Sequence, residues 1–388
     1  ELSKRMAETP KDRHLRSQLL RVYQADIKTV DAFCAGLLRE NVHLLPPVEE
    51  HSLTPDFRVL DEQEAMLLRR RVLDRVLEDF YAHIEEDGNA LQLAETLGAG
   101  RDDRALEALV LDLHEKTQSH PHPLRWLEQL RQGWEVTPQE LADTGCGRYL
   151  MEDALRRADF GARRLTRAVE DMADYPAVYK AYGDRFLEVA QGLEALRDKA
   201  AGGWDSLAQG VPSFRRMGVA KGEENAACRE RAKAVLEQAK KALKDIQAIF
   251  SVPEAELLED LRQMAPAMLA LLRLTAQFTL HYQAEKVRRN VMDFSDQEHY
   301  AIDLLTDGQG RPTELAKQVS SRYREVMVDE YQDSNQVQNC IFRALSGEER
   351  RLFAVGDVKQ SIYRFRLADP TIFLEKYLSY RPAAEAEE

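Results

Sequence analysis

Hydrophobic spacing predicts a short strand that leads into a helix in residues 24–45. "ADIKT" predicts the extended segment, and "TVDAFCAGLLREN" places apolar residues at helical spacing, with Thr29 or Asp31 as the N-cap. The prolines in "LLPPVEEHSLTPDF" then predict the end of this element and a boundary in the chain.

From about residue 60 to residue 290 the pattern is almost wholly helical. "DEQEAMLLRRRVLDRVLEDF" opens with a capping-box pattern, Asp61 to Glu64, and "PAMLALLRLTAQFTLHYQAEKVRRN" is the longest amphipathic stretch. The glycine-containing stretch "AAGGWDSLAQGVPSFRRMGVAKGEE" has no periodicity and predicts a mobile surface loop. These features predict a helical insert.

After residue 290 two short runs rich in valine and aromatic residues, "REVMVDE" and "RRLFAVGD", each end in an acid. Between them "SNQVQNCIFRALSG" predicts a helix that begins at Ser334 or Asn335 and ends before Gly347. Asp329 and Asp357 are 28 residues apart, about one β-α-β unit. Such a unit makes the strands parallel neighbours and brings both acidic ends to one edge of the sheet.

The fold class predicted from this order is α/β, with a parallel sheet and a large all-α insertion. We expect the sheet-bearing part in residues 1–45 and 286–388, and the helical domain in residues 46–285.

Composition agrees with a soluble globular protein of two or three domains: the chain has 388 residues, of which 44% are hydrophobic and 31% charged. No apolar stretch approaches the roughly 20 residues that span a bilayer, and the first residues lack a signal-peptide core, so we expect a cytoplasmic protein without a membrane partner. The four cysteines are scattered singly, which argues against a zinc knuckle or a disulfide framework. A net charge of −13 counts against a nucleic-acid partner without excluding one, because cations can line a single groove.

Acids follow the first apolar run directly in "VMVDEYQDSN", which carries Asp329, Glu330 and Asp333. Neighbouring residues on a strand point to opposite faces, so one carboxylate is expected to hold Mg²⁺ through a water shell while the other polarises an attacking water as general base. Asp357 would orient that shell, and Gln360 would respond to a phosphate on the metal. The alternative is that the acids only begin a helix, where they favour the positive end of its dipole.

The next motif, "VGDVKQSIYRFRLADP", interleaves Tyr363 and Phe365 with Arg364 and Arg366. In an extended segment the two rings share one face and the two guanidinium groups share the other. Rings for bases and cations for phosphates are what a single nucleic-acid strand requires. Burial in a core remains the alternative for Tyr363, although a core would not usually hold two arginines so close together.

Together these motifs resemble motifs II and III of the superfamily 1 helicases of the UvrD and RecB group. "IKTVDAFCAGLLRE" looks like that family's Thr-x-His-x-Phe-Cys segment, and "VMDFSDQEHYAIDLL" looks like its D-F-x-D-L element. The continuation Y-R-F-R-L-A-D-P is most similar to the helicase/nuclease subunits of bacterial recombination complexes.

The resemblance implies a partial RecA-like P-loop NTPase lobe around a helical domain. It also implies an ATP-dependent DNA helicase that uses Mg²⁺ and ATP, acts on single strands and duplex ends in double-strand-break repair, and works with a partner subunit. The implied nucleotide-site residues are Asp329 for Mg²⁺, Glu330 for the hydrolytic water, Gln332 and Asp333 for the motif II network, Asp357, Gln360 as γ-phosphate sensor, and Arg366 as the link to DNA. The implied DNA-facing residues are Thr29, Phe33, Tyr363, Arg364, Phe365 and Arg366.

The sequence departs from the family motifs at several positions: Asp31 replaces His, Gln297 replaces Leu, Ser334 replaces Thr and Phe365 replaces Trp. The changes at Asp31 and Gln297 weaken the case for the family's direct DNA contacts at those places. No G-x-x-x-x-G-K-[ST] phosphate loop occurs in the sequence. We therefore expect a fragment, comprising much of the first motor lobe and its helical insert, that alone hydrolyses ATP negligibly, with a nuclease centre beyond residue 388.

Two rival interpretations remain. A Mg²⁺-dependent nuclease would use the four acids directly, with Lys359 as the nearby lysine. A non-catalytic helical module that binds DNA or protein would use the acids only as caps. A metal site at His114, His120 and His122 is only weakly indicated, since no cysteines accompany them.

Overall fold

A computed structural model of the chain describes residues 2–9, 11–21, 25–97, 104–361 and 368–380. These residues form two compact units, one within Glu1–Arg131 and Ala270–Glu388 and the other within Gln132–Leu269. Among the described helices, none combines the length and apolar character that crossing a membrane requires.

Helices dominate both units. The α-helices are, in chain order, α1 Leu2–Glu8, α2 Arg13–Arg21, α3 Val30–Asn41, α4 Glu62–Ala82, α5 Gly88–Thr96, α6 Arg104–Thr117, α7 Pro123–Glu135, α8 Gly145–Glu170, α9 Pro176–Val178, α10 Asp184–Glu194, α11 Leu196–Lys199, α12 Gly203–Gly210, α13 Ala226–Ile249, α14 Glu254–Arg288, α15 Phe294–Leu305, α16 Glu314–Ser321, α17 Gln336–Ser346 and α18 Pro370–Ser379. Short 3₁₀ turns occur at Val42–Leu44, Ile84–Glu86, Leu141–Asp143, Ala200–Gly202, Tyr331–Asp333 and Val358–Gln360, and a π turn at Tyr179–Gly183.

The described strands form two small parallel sheets. Strands β1 (Arg58–Val59) and β2 (Val291–Met292) pair across more than 200 residues of sequence, and β3 (Val326–Val328) pairs with β4 (Leu352–Ala354) in the register Val326 to Leu352. Helix α17 connects β3 to β4, so the predicted β-α-β unit is confirmed. The sheet content is far smaller than an α/β class suggests, and the fold is mostly helical with small parallel sheets.

The core of the first unit is built around α15, which packs against α3, α16 and α17. Cys34, Leu38, Ile302, Leu305 and Ile341 are almost completely buried there. A buried lysine joins the end of α14 to the start of α15: the Lys286 ammonium donates to the carboxylates of Asp293 and Asp296, at 3.0 and 2.6 Å. The packing of α15 against α17 holds α17 in place, and α17 in turn packs against β3 and β4.

All the secondary structure of the second unit between residues 132 and 269 is helical, with irregular segments between the helices. Ala154, Ala158 and Ala162 recur every four residues on α8, and these small side chains allow α10 to pack closely against that face. Whether this unit is an insertion in a motor lobe, and whether the boundaries 1–45, 46–285 and 286–388 hold, stay predictions, because compact units need not coincide with the lobes of a motor.

The prediction of a mobile surface loop at residues 200–224 is wrong for residues 203–210, whereas residues 211–222 form neither helix nor strand, and their mobility stays a prediction. Residues 203–210 form α12, with Trp204 and Leu207 buried, and the Trp204 indole donates to the Val252 carbonyl at 3.0 Å. The following segment is irregular but packed, since the Gly218 amide donates to the Ala181 carbonyl at 3.1 Å. Glycine content indicated the irregular segment after residue 210 and did not indicate the buried helix before it.

Helix ends follow the sequence closely. Thr29 caps α3 by accepting from the Ala32 amide, and Asp61 with Glu64 forms the predicted capping box of α4. Asn335 caps α17, which ends at Gly347 in the left-handed conformation that glycine adopts without strain. The predicted short strand at "ADIKT" is not formed, since residues 25–29 have neither strand nor helix, although Thr29 has extended backbone angles.

Candidate functional site

The acids singled out in the sequence lie at one edge of the β3–β4 sheet. Asp329 and Glu330 follow β3 directly, and Asp357 follows β4 by three residues. The Val355 amide donates to the Val328 carbonyl at 2.9 Å and the Tyr331 amide donates to the Val355 carbonyl at 2.8 Å, so the two chain segments stay paired past the ends of both strands. The predicted shared edge is therefore present.

A buried glutamine joins the two acidic segments. Gln332 is 1% exposed; its Nε2 donates to Glu330 Oε2 at 2.6 Å, and its Oε1 accepts from the Asp357 amide at 2.9 Å. Gly356 lies against this side chain, and a Cβ there would approach Gln332 Oε1 to 2.5 Å. The glycine is needed because the amide of Gln332 occupies the space that a side chain would fill.

Glu330 adopts a backbone conformation that is rare for a residue with a side chain. Its φ is 51° and its ψ is 42°, in the left-handed region, which costs of order 1 kcal/mol or more. The turn redirects the chain from β3 into the 3₁₀ turn at Tyr331–Asp333, and the Glu330 side chain is exposed. Strain of this kind is concentrated at functional sites.

The carboxylates at this edge differ in whether their oxygens accept hydrogen bonds. Asp329 Oδ1 accepts from the Glu330 amide at 3.0 Å, whereas Asp333 Oδ1 is buried without a hydrogen bond among the described residues. Burial, and next the negative charge of Glu330, raise the pKa of Asp333 above its usual range. An unsatisfied buried carboxylate oxygen is costly unless a cation or a donor approaches it.

This donor set suits Mg²⁺, which prefers carboxylate oxygens. The described residues contain no group of three or more His, Cys, Asp or Glu side chains that could hold a metal by themselves. In nucleotide sites Mg²⁺ is commonly held by one or two carboxylates together with substrate phosphates. The three predicted histidines are not brought together as a metal site either: the buried His114 donates to or accepts from Thr279 Oγ1, and His120 stacks on Trp126.

Asp357 and Gln360 bond within their own turn. Asp357 Oδ1 accepts from the Lys359 amide at 3.0 Å, and Oδ2 accepts from Gln360 Nε2 at 3.1 Å. These bonds, the Gln360 bond first, hold the pKa of Asp357 below its usual range. Asp357 therefore acts as the cap of the 3₁₀ turn Val358–Gln360, and the phosphate-sensing role of Gln360 stays a prediction.

Sequence reasoning missed the residues that anchor the acidic turn from behind. Tyr331 is fully buried, its hydroxyl donates to Asn339 Oδ1 at 2.6 Å, and its ring packs against Phe342 and Phe373. The signal available was the aromatic residue between two acids, since a ring beside exposed carboxylates has to point into the core.

The ring-and-arginine segment lies outside the described residues: Tyr363, Arg364, Phe365 and Arg366 all fall within 362–367. The residues on either side of it lie beside the acidic turn. On one side the Val358–Gln360 turn follows Asp357, and on the other the Asp369 amide donates to the Ser334 carbonyl at 3.0 Å. The residues that precede and follow this segment therefore both lie next to the acidic turn.

The predicted DNA-facing residues of α3 have structural contacts of their own. Thr29 is the helix cap, and Phe33 is half-buried with its ring edge-on to Tyr323, at 6.4 Å between centroids. Contact of either residue with DNA stays a prediction.

A profile of the UvrD/REP helicase N-terminal domain matches residues 1–381. The chain belongs to the UvrD/REP helicase family. This membership confirms the resemblance carried by motifs II and III.

Relatives of this helicase domain include proteins whose names describe them as subunits of an ATP-dependent helicase/nuclease. Those of Lachnoclostridium phytofermentans, Geobacillus kaustophilus and Lysinibacillus sphaericus are 34%, 33% and 34% identical to it, over 98%, 100% and 99% of this chain. The chain spans 28%, 31% and 32% of these three relatives. UvrD/REP membership therefore covers nearly the whole chain, whereas the relatives extend well beyond the matched region.

Proposed function

We propose that this chain contributes the nucleotide-hydrolysing edge of a motor lobe in an ATP-dependent DNA helicase of the AddA type, which is one component of a helicase/nuclease. The observation that carries the proposal is the β3–α17–β4 unit, in which Gln332 joins Glu330 to the segment after β4. The names of the relatives support it. In this proposal the protein processes double-strand breaks for recombinational repair in the cytoplasm, with single-stranded DNA and duplex ends as substrates and an AddB-like partner.

Each residue at the edge has a distinct proposed task. Asp329, and Asp333 through its unpaired Oδ1, would hold Mg²⁺, which would neutralise negative charge on the phosphates of ATP. Glu330 takes a proton from the attacking water as general base. Gln332 fixes the position of the Glu330 carboxylate, and the fixed carboxylate raises the fraction of time spent in the reactive geometry.

Coupling to DNA uses the chain that follows. Gln360 senses the γ-phosphate, and the next residues carry Tyr363 and Phe365 for base stacking and Arg364 and Arg366 for phosphates. A structural change at motif II on hydrolysis would be transmitted to this segment through few residues, because the residues on either side of the segment lie beside the acidic turn.

The experiment measures ATP hydrolysis by Glu330→Gln and by the control Glu325→Gln, which changes an exposed glutamate one residue before β3. Both variants are made in a longer helicase that contains this chain together with a phosphate-binding loop, and they are assayed with single-stranded DNA. Removing a general base should lower kcat by about 10²- to 10⁴-fold while nucleotide affinity is kept. Glu325→Gln should behave like the parent. Equal ATP turnover in the two variants would contradict the proposal. Mg²⁺-dependent DNA cleavage that requires Asp329 and Glu330 would favour the nuclease instead.

A further inference from the structure

A hollow separate from the acidic edge lies in the first unit, at the N-terminal ends of three helices. It has a volume of about 430 Å³, and Thr29, Asp31, Ala32 and Ala35 of α3, Val59 to Asp61 before α4, and Phe294 and Gln297 of α15 line it. Asp31 and Gln297, 266 residues apart in the sequence, are two of the positions that depart from the family motifs. The structure brings both departures into the same hollow, so they are best explained together.

Gln297 is 2% exposed, lines the hollow and makes no hydrogen bond among the described residues. Unlike Asp333 Oδ1, its amide oxygen and nitrogen are not sealed from solvent. A primary amide carries two donors and an acceptor, and polar groups in such a buried side chain are nearly always hydrogen-bonded. A ligand in the hollow that presents complementary groups would use these donors and this acceptor.

The charge of the hollow selects the kind of ligand. Asp31 is half-buried and makes no hydrogen bond within the described part of the chain, while Asp61 accepts from the Glu64 amide at 2.8 Å. No lysine or arginine belongs to the lining that the structure describes. Two carboxylates without cations repel a phosphate and favour a group rich in N–H donors. Burial also raises the pKa of Asp31, as expected for a carboxylate that lacks such donors.

We propose that this hollow binds one unstacked guanine base of the DNA strand, an inference that rests on the proposed DNA-binding function. Guanine alone among the four bases presents two adjacent donors, N1–H and N2–H, beside an acceptor, O6. The Asp31 carboxylate accepts from both donors, the Gln297 amide donates to O6, and the ring of Phe294, which is 52% exposed, stacks on the base. The phosphates stay outside the hollow, near Lys28 and Arg58, which adjoin Thr29 and Val59 in the sequence and are ion-paired with Asp26 and Glu64.

The test measures binding of the 388-residue chain to labelled oligo-dT that carries one central dG, one central inosine or no purine, by fluorescence anisotropy. Inosine differs from guanosine only by lacking the N2 amino group. The dG oligomer should bind about 10-fold more tightly than the inosine oligomer, because one hydrogen bond to a charged acceptor is lost.

Three variants locate the effect. Asp31→Asn should abolish the preference for dG, and Gln297→Leu, which restores the family residue, should reduce it. Asp74→Asn is the matched control, because it removes one exposed carboxylate 13 residues further along from Asp61, roughly 20 Å away on α4. Circular dichroism melting verifies that each variant is folded, and Gln297→Leu remains informative if Asp31→Asn is not.

The outcomes separate the inference from the proposed function. Equal affinity for all oligomers, or a dG preference that survives both substitutions, overturns the guanine site and leaves DNA binding intact. Absence of binding to every oligomer contradicts DNA binding by this chain and the guanine site with it.

Discussion

At the scale of single residues, a neutral side chain organises the acidic edge. The acids were visible in the sequence because they follow an apolar run, but Gln332 connects them, donating to Glu330 and accepting from the Asp357 amide. Its buried amide is satisfied on both sides, which is the condition under which a polar group stabilises a folded structure. Gly356 makes this contact possible by leaving room for Gln332 Oε1.

Gly356→Ala should therefore disturb the edge without touching an acid. The new Cβ would lie 2.5 Å from Gln332 Oε1 and 3.2 Å from the backbone nitrogen of Gln332, so the turn has to shift. We expect a cost of about 1–3 kcal/mol and faster amide hydrogen exchange in residues 326–361. Gly308→Ala is the control, since no atom lies within 4 Å of its added Cβ. Unchanged exchange at the edge would show that Gln332 does not fix it.

At the scale of elements, the sequence predicted what depends on local chemistry. The caps at Asp61 and Asn335 and the β3–α17–β4 unit follow from residue type and spacing alone. The pairing of β1 with β2 could not be predicted, because each strand has two residues and no period is visible in so short a segment. The burial of Trp204 and Leu207 in α12 depends on partners distant in sequence, so composition gave the wrong answer for residues 203–210. In the candidate site the acids were predictable and the resemblance implied a network role for Gln332, whereas its bond to the Asp357 amide and the burial of Tyr331 depend on tertiary packing.

One contact between elements should make stability depend on pH. Glu298 of α15 is 8% exposed and accepts from Gln338 Nε2 of α17 at 2.8 Å. Burial, with a smaller contribution from the charge of Asp31, raises the pKa of Glu298 to about 7, although the Gln338 bond acts in the opposite direction. Between the ordinary value of 4.5 and about 7 the folded state keeps a proton that the unfolded state releases.

The free energy of unfolding should accordingly fall as pH rises through this window, by on the order of 3 kcal/mol from this residue. Glu298→Gln keeps an acceptor for Gln338 and cannot ionise, so it should lose less stability between pH 4.5 and 7 than the parent. Urea unfolding at several pH values measures the difference. Glu78→Gln, which removes an exposed carboxylate on α4, should follow the parent, and identical slopes for all three proteins would contradict the raised pKa.

At the scale of the whole molecule, a chain with a net charge of −13 is proposed to bind DNA. The average repels phosphate, so binding has to come from a local group of cations and rings. Arg364 and Arg366 with Tyr363 and Phe365 form such a group in the sequence, and the residues flanking it lie beside motif II. This position predicts that the segment carries most of the DNA affinity, even though it contributes little to the total charge.

Phe365→Ala combined with Arg366→Ala tests this at the level of the complete chain. Loss of one stacked ring costs about 1–3 kcal/mol, and loss of one phosphate contact lowers the slope of log affinity against log salt by roughly 0.7. We expect single-strand affinity to fall at least 10-fold, measured by anisotropy over a salt series. The matched control is Phe160→Ala with Arg164→Ala, an exposed ring and arginine 5.6 Å apart on α8, which should leave binding unchanged. Equal binding by both double variants would favour the non-catalytic helical module, because DNA would then be held elsewhere on the chain.

Including Mg²⁺ and ATP in the same series tests the remaining rival, the nuclease, because cleavage of the oligomer would favour it. Intact DNA and negligible ATP turnover are expected from these 388 residues, which contain no G-x-x-x-x-G-K-[ST] loop.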